Sequence, residues 1–189
     1  MAKKILVIVA HPDDETIWMG GLLLRNKSWD KKIITLCRKN DSDRAPKFKK
    51  VCRILNASCS MSTLEDTKLY PLEIEKIISR IKKLLKNKDY DYIFTHGNNG
   101  EYGHIRHTEV HRAVNKMIAN KELNCKKVFY FSYQKQDKNC NINSNADIII
   151  KLNSREFNMK QYLIKKIYGF SKDSFEVKSS HNKEAFDTR

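Results

Sequence analysis

A histidine followed by a run of carboxylates closes an apolar segment near the start of the chain. His11-Pro12-Asp13-Asp14-Glu15 stands directly behind Ile5 to Val9. An imidazole and one carboxylate can bind a divalent metal and leave the neighbouring carboxylate free to move protons, a combination suited to hydrolysis. Pro12 restricts His11 to extended backbone and stops the strand, so Asp13 and Asp14 fall in the turn. Adjacent side chains there need not point the same way: one can coordinate a metal while its neighbour faces the attacking water. The competing expectation is that Asp13 or Asp14 only caps the helix beginning near Ile17, a common use of Asp.

A second polar group, Thr95 to His111, follows the apolar Tyr92-Ile93-Phe94 and precedes Val110, Ala113, Val114, Met117 and Ile118 at helical spacing. His104, His107 and His111 are spaced by three and four and could share one face if the helix begins early enough. One such pair is a weak metal signal. Joined to a remote His-x-Asp-Asp behind a separate strand it becomes strong, because two segments supplying His, Asp and His make the open three-ligand site of catalytic zinc. His96 reads as strand-end polarity and His111 as a solvated or supporting residue, so neither enters the primary ligand set.

On these residues the chain resembles the PIG-L/LmbE family of zinc-dependent N-deacetylases, the N-acetylglucosaminylphosphatidylinositol de-N-acetylase-like proteins. The family's His-Pro-Asp-Asp-Glu signature matches His11 to Glu15, its Gly-His-x-x-His signature matches Gly103 to His107, and Gly20-Gly21 also fits. The resemblance runs from Lys3 to about Tyr133 and implies His11, Asp14 and His107 as metal ligands. It implies Asp13 as general base and His104, as an imidazolium, as the group that stabilises the oxyanion or protonates the departing amine. Tyr102 would help polarise the carbonyl, Arg44 and Asp66 would hold substrate hydroxyls or phosphates, and Glu15 would support the turn. Ile105-Arg106 replaces the Pro-Asp of many relatives, which leaves the ligands intact and alters the pocket rim. The implied cofactor is Zn2+, with Fe2+, Co2+ or Mn2+ equally suited to the ligand types. The implied partner is a small N-acetylated amino sugar or glycoconjugate.

The elements that must position these groups alternate strand and helix. Strands are expected over Lys4 to Ala10, Lys31 to Cys37, Ala57 to Ser62, Asp91 to Thr95, Lys127 to Tyr133 and Asp147 to Leu152. Helices are expected over Trp18 to Arg25, Lys47 to Leu55, Leu72 to Leu85 behind Pro71, and Glu156 to Tyr168. The first strand is continuously apolar, as in a sheet covered on both faces. This is an α/β doubly wound pattern, a single-domain Rossmann-like three-layer sandwich with a mainly parallel sheet. One domain spans residues 1–189, with 134–189 shaping the substrate pocket and a polar tail from Ser171 anchored by Phe175, Val177 and Phe186. His-Pro-Asp-Asp at the first strand turn excludes a simple dinucleotide cradle, which needs glycines there.

A chain of 189 residues is long enough for one sizeable core. The N-terminus lacks the features of a signal peptide, and no segment reaches about twenty apolar residues, so a soluble cytoplasmic protein is expected. The five cysteines form no Cys-x-x-Cys pair and read as free thiols of a reducing compartment. A net charge of +15 admits polyanion binding, but the lysines are scattered and read first as solvated faces. Assembly into a homo-oligomer is compatible with this reading. Two alternatives stand beside the deacetylase: a metal-dependent phosphoesterase, and a non-catalytic basic nucleic-acid-binding protein with a structural metal.

Overall fold

The computed structural model describes residues 2–189. Its centre is a seven-stranded sheet in the order β3-β2-β1-β4-β5-β9-β8, formed by β1 (Lys4–Val9), β2 (Asp30–Cys37), β3 (Ala57–Leu64), β4 (Asp89–Thr95), β5 (Asn124–Phe131), β8 (Ile148–Lys151) and β9 (Lys183–Thr188). The pairs from β3 through β5 are parallel, while β9 runs antiparallel to both β5 and β8. A mainly parallel sheet between helical layers is thus the architecture, as the alternating pattern predicts. Among the described residues no helix is long and apolar enough to cross a membrane.

The continuous apolar run of β1 serves two cores at once. Ile5, Val7 and Val9 join one buried cluster, and Leu6, Ile8 and Ala10 join the other. Neighbouring strand residues face opposite layers, so both sets must be apolar when helices cover both faces. The first layer contains α1 (Asp14–Arg25) and α2 (Arg44–Ile54); the second contains α3 (Ile74–Leu84) and α5 (Ile105–Ala119). The chain leaves β1 toward β2 on one side and returns to β4 on the other. A crevice opens beyond the strand ends at such a switch point, and both polar motifs follow strands that flank it.

Several elements differ from the sequence expectation. The helix expected from Leu72 begins at Ile74, because Leu72 is held outside it by an N–H donated to Glu109. The expected strand to Tyr133 breaks at Ser132, after which β6 (Tyr133–Gln136) and β7 (Asn139–Ile142) make a separate hairpin. The expected helix to Tyr168 becomes α6 (Ser154–Tyr162) and a π-helical turn (Leu163–Tyr168), closed by Gly169 at φ 83°. Wider turns of this kind recur at functional sites, and this one brings the Tyr168 hydroxyl onto Glu15.

The largest correction concerns the tail. It carries β9, inserted between β5 and β8, with Phe186 fully buried. Glu184 on β9 is buried too: it accepts from Lys160 Nζ at 2.8 Å and from the amides of Gly21 and Leu22, both at 2.8 Å. Gly21 lies so close to Leu152 that an added Cβ would stand 2.3 Å from Leu152 Cδ1. Truncating Glu184 to alanine leaves the Lys160 ammonium buried and unpaired, and is expected to cost about 3–5 kcal/mol. Denaturant unfolding of Glu184→Ala checks this; a loss below about 1 kcal/mol would mean that the pair does not lock the tail to α1 and α6.

Candidate metal centre and cleft

The end of β1 is fixed before the motif begins. The Ala10 carbonyl accepts from Thr35 Oγ1 and from the Cys37 amide, each at 2.9 Å, and the Ala10 N–H donates to His96 Nε2 at 2.9 Å. The chain then turns through Asp13 at φ 115°, a region that residues with a Cβ rarely occupy. Strained backbone of this kind persists only where the surroundings hold it. Here the Asp13 carbonyl accepts from the Thr16 and Ile17 amides, and its N–H donates to Glu15 Oε2. Glu15 also accepts from Thr16 Oγ1 and Tyr168, and burial pushes its carboxyl up to about 7. It supports the turn, as the resemblance implies.

Capping is carried out by the Asp13 carbonyl; its side chain makes no cap hydrogen bond. The Asp13 carboxylate instead accepts from Arg44 Nη1 at 2.6 Å, and the Arg44 guanidinium lies 4.2 Å from the Phe170 ring centre. Burial and the adjacent Asp14 charge push the Asp13 carboxyl well above its usual range, with Arg44 opposing them. A carboxylate raised in this way is a stronger base.

Three donor atoms converge beside it. His11 Nδ1 lies 3.1 Å from His107 Nε2 and 3.4 Å from Asp14 Oδ2, and His107 Nε2 lies 3.5 Å from Asp14 Oδ2. Donors about 2.0–2.2 Å from a tetrahedral zinc stand about 3.3–3.5 Å apart, so this triangle fits such an ion. The outward ring atoms explain the orientation. His11 Nε2 pairs with Asp66 Oδ1 at 2.8 Å, and His107 Nδ1 pairs with Glu101 Oε2. With their outward protons bonded to carboxylates, both rings turn lone pairs on the same point, the usual support of metal-binding histidines. Asp14 is held by the His11 amide on Oδ2 and by Trp18 Nε1 on Oδ1. Burial keeps His107 below the ordinary imidazole range, whereas at His11 the Asp14 and Asp66 carboxylates outweigh burial and favour a proton, which a bound cation would displace.

Other expected residues take different places. His104 caps α5 and does not join its face: its Nδ1 accepts from the Arg106 amide at 3.2 Å, which leaves the ring proton on Nε2. Burial and the nearby His107 and His11 push it down to about 3, which favours the neutral ring over the expected imidazolium. Asp66 lines the cleft, but its oxygens are engaged by His11 and by Arg38. It is thereby placed to orient His11. Arg44 also lines the cleft, paired to Asp13. Tyr102 packs edge-on to His104 and Phe175, and burial raises its phenol so that it stays protonated. His111 turns away to the His96 carbonyl.

Sequence reasoning missed Glu101, Arg38 and Trp18, and undervalued His96. Glu101 is buried, accepts from Gly97 N–H at 2.8 Å, and contacts both His96 and His107. Burial disfavours the charged His96 ring and the Glu101 and Asp14 carboxylates favour it, but the Ala10 N–H takes its Nε2 lone pair. That bond keeps the neutral tautomer, with its proton on Nδ1 toward Glu101. A carboxylate six positions before His107 in a glycine-rich loop was the available signal, but loop sequences carry no periodicity from which to infer burial.

The cleft at the triangle measures about 300 Å³ and is lined by the apolar Ile17, Trp18, Tyr102 and Phe175 together with the charged Arg38, Arg44 and Asp66. A mainly parallel sheet with three convergent donor atoms at its switch point makes this an α/β protein with a candidate metal site in its cleft. The family follows: a model described as GlcNAc-PI de-N-acetylase (PIG-L) matches residues 6–118, and the chain belongs to this family. A protein of Acanthamoeba polyphaga mimivirus, described as uncharacterised, is 23% identical over 192 residues, covering 94% of this chain and 80% of that one. Among solved structures, the conserved protein TT1542 from Thermus thermophilus aligns with a TM-score of 0.73 at 16% identity, over 98% of this chain and 94% of its own. The N,N'-diacetylchitobiose deacetylase from Pyrococcus horikoshii gives 0.75 at 16% identity, over 100% and 84%. GalB, a 4-carboxy-2-hydroxymuconate hydratase from Pseudomonas putida, gives 0.67 at 13% identity, over 94% and 82%. These similarities show the fold, and a hydratase among them means that the reaction must be argued from the site.

Proposed function

We propose that this protein is a metal-dependent N-deacetylase that removes an acetyl group from the nitrogen of an N-acetyl amino sugar or its conjugate. The observation that carries the reading is the convergence of His11 Nδ1, Asp14 Oδ2 and His107 Nε2 beside the raised carboxylate of Asp13. These three would hold Zn2+, or Fe2+, Co2+ or Mn2+. When bound, the ion supplies Lewis acidity that polarises the acyl carbonyl and makes water a better nucleophile at neutral pH.

The remaining steps belong to the chain's own groups. Asp13 takes a proton from the attacking water as the carbon–oxygen bond forms. His104 Nε2–H and the Tyr102 hydroxyl donate toward the oxygen on which negative charge develops, a role that needs a neutral donor rather than an acid. The proton held by Asp13 then passes to the nitrogen as the carbon–nitrogen bond breaks, releasing acetate and a free amine. Trp18, Tyr102 and Phe175 give the cleft apolar lining, and Arg38 and Arg44 give it cationic groups. Its volume is at the low end for small-molecule sites, which suits one sugar ring with a polar or anionic substituent. Five free thiols, three of them buried, suit a cytoplasmic protein.

Assay of acetate and amine release from N-acetyl amino sugars, free and phosphate-conjugated, tests the reading; chelation should abolish release and zinc restore it. A pH prediction follows from Arg44. Its charge opposes the rise of the Asp13 pKa, so Arg44→Met should raise that pKa further. Since Asp13 acts deprotonated, the acidic limb of the kcat/KM profile should move to higher pH, by on the order of one to three units. An unmoved limb would remove Asp13 from that ionisation.

A further inference from the structure

The segment between β3 and α3 contains Asp66, which orients His11, and Leu69, which lines the cleft. It has no regular secondary structure, and Leu69 sits at φ 53°. Among the described residues, the hydrogen bonds that tie 65–72 to the rest of the molecule run to His11, Arg38, Arg106 and Glu109.

Arg106 makes three of these six. Its Nε donates to the Glu65 carbonyl at 2.6 Å, and its Nη2 donates to Glu65 Oε2 at 2.8 Å and to the Tyr70 carbonyl at 2.9 Å. Its Nη1 donates to Glu109 Oε2 at 2.6 Å, and the other Glu109 oxygen accepts the Leu72 N–H at 2.7 Å. The guanidinium is fully buried. A planar fork of fixed donors is what this geometry requires; a lysine ammonium cannot reproduce it.

The position in sequence gives this clamp its consequence. Glu65 precedes Asp66, the partner of His11, and Arg106 precedes His107. The Glu65–Arg106 connection therefore runs alongside the path Asp66–His11–His107, one residue away at each end. We propose that Arg106 is a positioning residue that sets the spacing between the imidazole donors of His11 and His107 by fastening the Glu65–Leu72 loop to α5. The inference rests on the metal-site reading and adds to it a residue that touches neither ion nor substrate. Loosening the clamp lets Asp66 drift and with it the His11 ring, which weakens a site whose three donors must meet within a few tenths of an ångström.

The test is zinc affinity by competition with a chromogenic chelator, together with the visible spectrum of the Co(II)-substituted protein and the Tm. Arg106→Met should lose about 10- to 100-fold in zinc affinity and shift the Co(II) bands. Arg106→Lys, which keeps the charge and loses the fork, should fall between it and wild type. Val114→Ala, in the buried face of the same helix, is the control for a lowered Tm and should bind zinc as wild type does. Wild-type affinity in Arg106→Met, or a loss no greater than that of Val114→Ala, would overturn the inference. If Arg106→Met does not fold, Glu65→Gln takes its place: a smaller loss of affinity supports the clamp and an unchanged affinity overturns it. No substrate enters this measurement, so a wild type that binds zinc but hydrolyses no acetamide would count against the deacetylase reading alone.

Discussion

Asp13→Ala is expected to retain a full equivalent of metal and lose about 100- to 10,000-fold in kcat, the range a positioned general base contributes. The separation follows from where the two aspartates point. Asp14 faces the two histidine donors and is fixed by the His11 amide and the Trp18 indole, whereas the Asp13 carboxylate faces Arg44. Burial and Asp14 push the Asp13 carboxyl up, so alanine removes a base and leaves the donor triangle in place. The turn itself is held through the backbone of Asp13 and by Glu15, neither of which the substitution deletes. Metal analysis beside steady-state kinetics decides the matter; loss of metal in step with activity would contradict the division of roles.

His107→Ala is expected to release the metal and with it all turnover. The ring supplies one corner of the triangle, stacks on His96 at 3.8 Å between ring centres, and donates its Nδ1–H to Glu101. Its removal leaves two donors, too few for the open three-ligand arrangement of catalytic zinc. It also leaves Glu101, which His96 and His107 together hold down at about 2 against the effect of burial, with one of its two histidines. Stability should therefore fall as well, by about 1–3 kcal/mol, from the uncompensated buried carboxylate. Elemental analysis after dialysis and thermal unfolding check both parts; a metal-replete His107→Ala would remove this residue from the ligand set.

Much of the scaffold was legible because it obeys periodicity. The unbroken apolar run Ile5 to Val9 signals a strand covered on both sides, and Ile77, Ile78 and Ile81 mark the buried face of α3. Two short polar groups behind two strands were legible for another reason, since a parallel sheet brings such strand ends together; the choice of His11, Asp14 and His107 among their residues came from the family resemblance. What the sequence concealed is polar burial. Lys160 and Glu184 read as surface charges until they are seen paired inside the molecule, and β9 was hidden with them. Glu101 and Arg106 are concealed in the same way, since nothing in a loop or a first helical turn marks a charge as buried. His104 shows the limit of spacing arguments: it stands three residues before His107 yet ends the preceding turn, so the two rings meet the cleft from different elements.

We propose that the triangle of His11, Asp14 and His107 serves amide hydrolysis with Asp13 as base. Acetate and free amine should be quantified together from N-acetyl amino sugars, free and phosphate-conjugated, while zinc is titrated into metal-free protein. Acetate and amine should appear in equimolar amounts, with activity saturating at one ion per chain. Activity that requires two ions and releases phosphate would favour a phosphoesterase, and fully loaded protein that releases no amine from any substrate would contradict the claim.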